Sequence, residues 1–98
     1  MKYQEEKFIK FKNHKMSKFA LGLERALLEY EIIMNPNVTG EQRQRATVID
    51  AQELAADPSR MFKIGKTFGV AYKCYVDERY LSKRKQYHQE QSKRIALI

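Results

Sequence analysis

After Pro58, nothing in this sequence obviously stops a helix until the last few residues. Asp57 is a strong N-cap and Pro58 suits the first helical position, so the pattern predicts one helix over 58–94. At 1.5 Å per residue that helix spans about 55 Å, whereas the segments before it predict helices of under about 30 Å each. In an up-down-up bundle its last turns would project past their neighbours. A lone exposed helix is marginal in water, so the N-terminal arm, a second chain or a ligand would have to support it.

The earlier segments are legible from their apolar spacing. Met16, Phe19, Leu23, Leu27, Tyr30 and Met34 recur every three or four residues and predict a helix over 16–34. Leu21, Leu28 and Ile32 form a second stripe on its other side, and a helix apolar on two sides must bury both. Asn35-Pro36-Asn37 ends it, because the residue before proline avoids the helical region and both asparagines favour turns. Thr39 with Gln42 has capping-box spacing and opens a helix over 40–56. The apolar face of that helix is thin: Val48, Ala51, Leu54 and Ala55, with Ala46, Ile49 and Ala56 on the flank. In 58–94 the stripe is Met61, Ile64, Phe68, Ala71, Tyr72 and Tyr75. Gly65 and Gly69 lie on its edge, where they let another helix approach closely. The seam fails after Val76. Residues 1–15 read as a basic N-terminal arm or a helix, with Lys12 and Lys15 falling on the apolar face in helical register. The expectation is one all-α domain over 1–98, a small bundle of three main helices with a long C-terminal helix extending from the body.

A chain of 98 residues builds one modest core. Its net charge of +7 is unevenly spread: residues 1–18 carry +4, residues 19–57 carry −4 and residues 58–98 carry +7. Basic ends around an acidic middle suggest a polyanionic partner or self-association, against the plainer reading of solubility. The lone Cys74 forms no internal disulfide and fits a reducing, cytoplasmic setting. No apolar run approaches a membrane span, and the lysines of residues 1–15 do not segregate to one face as a membrane-surface helix requires.

No arrangement of reactive residues points to an enzyme. Ile64-Gly65-Lys66-Thr67 ends like a phosphate-binding loop, but the required glycine five positions earlier is Arg60, so Gly65 reads as a packing residue. His14 and His88 lack partners at metal-ligand spacing and read as solvated; no metal or cofactor is expected. Cys74 has no base placed beside it by the sequence. The acid pairs Glu5/Glu6, Glu29/Glu31 and Asp77/Glu78 point in different directions on a helix.

The basic end of the last helix is the better candidate. Tyr80, Lys83, Arg84 and Tyr87 lie along one strip, with Lys85, Lys93 and Arg94 around it. Lysine and arginine neutralise phosphates, and tyrosine stacks on bases. The leading expectation is a small, basic, non-enzymatic accessory or regulatory protein that binds DNA or RNA there, with Lys7, Lys10, Lys12 and Lys15 as a second patch. The alternative is a homo-oligomeric helical adaptor or inhibitor that grips a protein through Leu21, Leu28 and Ile32. The apolar tail of Ile95, Leu97 and Ile98 would dock on that stripe in a swapped homodimer.

Overall fold

The computed structural model describes the backbone of residues 2–56 and 60–96, and the side chains of 16–56 and 60–95. The described residues form four helices: α1 (Lys2–Met34), α2 (Gly40–Ala55), α3 (Arg60–Val76) and α4 (Arg79–Ala96). All described regular structure is helical. The expected start at Asp57-Pro58 lies outside the described residues.

The helix α1 begins at Lys2 rather than Met16, so the N-terminal segment takes the helical of its two expected forms. No glycine or proline occurs in residues 2–15, and lysine, glutamate and glutamine are good helix formers. At the other end, Asn35 N–H donates to the Glu31 carbonyl, and the Asn35 side chain accepts from Asn37 N–H at 3.0 Å. That side-chain turn precedes α2. The expected capping box is present: Thr39 Oγ1 accepts from Gln42 N–H at 3.2 Å, and Gln42 Oε1 accepts from Thr39 N–H at 3.1 Å.

Helix α2 runs antiparallel to α1, as its ion pairs show. Lys18 meets Glu53 at 4.0 Å, Arg25 meets Asp50 at 2.6 Å and Arg45 meets Glu24 at 2.8 Å. Its buried face is Ala46, Ile49 and Glu53, not the expected face of Val48, Ala51, Leu54 and Ala55. Leu54 is 87% exposed. The reason is that Ile49 shares its side of the helix with the charges that pair to α1, and the alanine-rich side offers little area to bury.

Helix α3 runs parallel to α1. A Cβ at Gly22 would overlap the Phe62 carbonyl oxygen and lie 2.6 Å from Lys66 N; one at Gly65 would overlap the Phe19 carbonyl; one at Gly69 would lie 2.6 Å from the Ala26 Cβ. Small residues four apart on both helices therefore bring the backbones into contact. This confirms the packing role expected for Gly65 and Gly69, and its cost is borne by the aromatic stripe. With the glycine edge and Phe62 turned inward, Ile64, Phe68, Tyr72 and Tyr75 face out, being 40%, 65%, 60% and 87% exposed. They had been expected in the core.

The long helix over 58–94 is not continuous. It ends at Val76, and α4 begins at Arg79. The Asp77 carboxylate accepts from Arg79 N–H at 3.0 Å, a turn in which a side chain replaces a backbone acceptor. The chain then turns back, and α4 packs against α1 and α3. Among the described residues, Ala26, Ile49 and Tyr80 have no exposed surface.

Candidate functional site

Turning α4 back onto α1 creates a polar hub around Glu29. That carboxylate is 2% exposed. Its Oε1 accepts from Arg84 Nε at 2.5 Å and from Tyr80 Oη at 3.3 Å, with His88 Nε2 at 3.4 Å. Arg25 Nη1 stands 3.9 Å from Oε2 while its other nitrogens hold Asp50. Burial works against the Glu29 charge, but the hydrogen bond and charge of Arg84, then His88 and Arg25, hold its carboxyl below the usual range. Burial, followed by the nearby Glu29 charge, pushes the Tyr80 hydroxyl well above its ordinary value. Tyr80 also meets the Tyr30 ring edge-on at 5.1 Å, and Lys73 Nζ lies 4.5 Å from the centre of that ring. The hub therefore ties α4 to α1, and through Arg25 to α2.

Two residues expected to contact nucleic acid are thereby drawn into the hub. Tyr80 has no accessible surface, so it stacks on no base. Arg84 is half-buried and commits its Nε to Glu29 Oε1. Tyr87 is half-buried, with its ring edge-on to His88 at 5.5 Å. Lys83, Lys85, Lys93 and Arg94 are exposed on α4. The side chains of Lys7, Lys10, Lys12 and Lys15 lie outside the described residues. His88, expected to be merely solvated, reaches the hub.

The expected protein-binding stripe is half-covered by the chain itself. Leu21, Leu28 and Ile32 are all half-buried. Leu21 and Leu28 share the helix face of Arg25, which binds α2, and Ile32 and Ile33 border a shallow depression with Lys83, Gln86, Tyr87 and Glu90 of α4. Ile95 is 74% exposed, while Leu97 and Ile98 lie outside the described residues.

The accessible apolar surface is elsewhere. Ile64, Phe68, Tyr72 and Tyr75 of α3, with Leu27 of α1 at 45% exposure, form a continuous outward face. Phe68 is anchored at one edge by the Phe19 ring, 6.1 Å away. Leu23, Leu27, Phe68 and Tyr72 line a groove floored by Gly69, and Arg60, Ile64, Thr67 and Ala71 line a second one beside it. The signal for this inversion was in the sequence: Gly22 and Ala26 share the spacing of Gly65 and Gly69. Among the described residues, no three His, Cys, Asp or Glu side chains are placed to hold a metal ion, and no helix is long and apolar enough to cross a membrane. Comparison with protein families, with curated proteins and with solved structures finds no match.

Proposed function

We propose that this chain is a non-enzymatic interaction protein that binds another polypeptide through the outward face of α3 and the adjoining flank of α1. One observation carries this reading: three neighbouring aromatic side chains, Phe68, Tyr72 and Tyr75, are each at least 60% exposed beside Ile64 and Leu27. Contiguous apolar patches of this kind mark association surfaces, and aromatics are enriched at their centres. A reducing, cytoplasmic setting suits the unpaired Cys74. A photo-crosslinking amino acid placed at Phe68 in cells that make the protein tests the reading. Covalent adducts are expected from position 68, and few from the exposed Gln44 on α2. Equal yields at the two positions would sink it.

A second reading rests on the exposed cations of α4, where Lys83, Lys85, Lys93 and Arg94 face solvent with Glu90 as the single acid. These four could neutralise nucleic-acid phosphates. Replacing all four with glutamine is then expected to lower the slope of log affinity against log salt by up to about four. A gel shift that shows no complex at low salt rules this reading out.

A further inference from the structure

We infer that the outward face of α3 is covered by α3 of a second copy, packed antiparallel about a two-fold axis near Phe68. The inference rests on the reading of that face as a protein-binding surface and specifies its occupant. Two properties of the face point to self-pairing rather than to a foreign surface.

The first is area. Using about 200 Å² for a fully exposed aromatic side chain and somewhat less for an aliphatic one, the exposed parts of Leu27, Ile64, Phe68, Tyr72 and Tyr75 amount to about 550 Å² per copy. Two such faces together supply about 1,100 Å², just above the roughly 1,000 Å² that a specific interface requires. That is also at the upper end of what a soluble monomer leaves exposed as one patch, roughly 300–600 Å².

The second is the order of chemistry along the helix. Measured from Phe68, Ile64 lies four residues before and Tyr72 four after; Arg60 lies eight before and Tyr75 seven after. An antiparallel two-fold places Phe68 against its own copy, Ile64 against the other Tyr72, and the Arg60 guanidinium over the other Tyr75 ring, a favourable cation–aromatic pairing. Helix α3 carries no acidic residue, so a parallel arrangement would stack Arg60 on Arg60 and Lys63 on Lys63. The antiparallel one sets the two Arg60 side chains about 24 Å apart along the axis, well beyond the roughly 8 Å over which exposed charges act at physiological salt, while Lys73, near the other end of α3, is turned to the Tyr30 ring of α1. The Arg60 side chains therefore favour the antiparallel orientation.

Sedimentation equilibrium on the purified full chain tests this. A species of twice the 11.6 kDa chain mass is expected. Phe68→Glu, at a position already largely exposed, is expected to weaken the association at least about 30-fold with the helical circular-dichroism signal unchanged. Orientation is read separately with engineered thiols in a Cys74→Ser background. Arg60→Cys chains should crosslink to Tyr75→Cys chains on mild oxidation but not to themselves. A dimer indifferent to Phe68→Glu, or self-crosslinking Arg60→Cys chains, overturns the inference. A monomer at high concentration overturns it too; crosslinks from position 68 to a foreign polypeptide in cells would then leave the broader reading standing, and their absence would remove both.

Discussion

Gly22→Ala is expected to destabilise the protein by about 3 kcal/mol and to lower its melting temperature by roughly 12–20 °C. Alanine favours a helix interior over glycine by about 1 kcal/mol, so helix propensity alone predicts the opposite sign. Packing decides the outcome, because the added methyl would overlap the Phe62 carbonyl oxygen and approach Lys66 N to 2.6 Å. Both neighbours are backbone atoms of α3 and cannot rotate aside as a side chain can. The helices must separate, which loosens the contacts of Phe19, Leu23 and Ala26 along the same seam. Gly65→Ala meets the Phe19 backbone in the same manner. Gly40→Ala is the control, since nothing lies within 4 Å of the added carbon, and its effect should stay within about 0.5 kcal/mol. Thermal melts of the three variants check the prediction. A Gly22→Ala protein melting within a few degrees of the parent would show that α1 and α3 are not in backbone contact.

The second large effect is expected at Glu29. Glu29→Gln should cost about 3 kcal/mol, the scale for removing one partner of a buried ion pair. It leaves Arg84 beside a neutral amide, while Arg25 retains Asp50 at 2.6 Å. The acid limb of the stability curve should change with it. Because the Glu29 carboxyl is held below its usual range in the folded protein, its contribution is complete above the unfolded value near pH ~4.3. That contribution is lost as the pH falls through the lower, folded value. The sign follows because the unfolded chain takes up the proton first. Urea midpoints measured from pH 7 downward should therefore fall more steeply in the parent than in Glu29→Gln. The slope does not vanish in the variant, since the Asp77 carboxyl is also held low, chiefly by its hydrogen bond from the Arg79 side chain. Parallel curves for parent and variant would show that Glu29 is not ionised in the hub.

The elements that local chemistry defines were legible before the fold was seen. The Thr39–Gln42 box and the stop at Asn35-Pro36-Asn37 depend on neighbours a few residues away, and the close-approach role of Gly65 and Gly69 shows in their own spacing of four. What sequence reading misplaced was set by distant partners. The strip of Tyr80, Arg84 and Tyr87 has the spacing of a solvent-facing basic surface, and nothing beside it in the chain shows that Glu29, 51 and 55 positions from Tyr80 and Arg84, takes up the first two. The break at Asp77 was missed for a related reason. No glycine or proline marks it; an aspartate turn suffices once Tyr80 gains a buried site on α1. The failure of the apolar seam after Val76 was visible, but it reads equally as projection or as reversal. The aromatic stripe of α3 was placed inside because apolar residues favour burial, whereas the glycines allowed a closer contact on another edge. The face left outside is the basis of the proposed interface.

The hub also orders events during synthesis. Glu29 leaves the ribosome long before Arg84 and His88, which follow it by 55 and 59 positions. Until they emerge, that carboxylate has only Arg25 as a cation from its own helix and no reason to leave water. The nascent α1–α3 pair can therefore close on its glycines first, with the carboxylate still hydrated, and α4 dehydrates it on docking. Emergence of α4, rather than completion of any earlier helix, is the moment at which the Glu29 carboxylate gains its partners from outside its own helix.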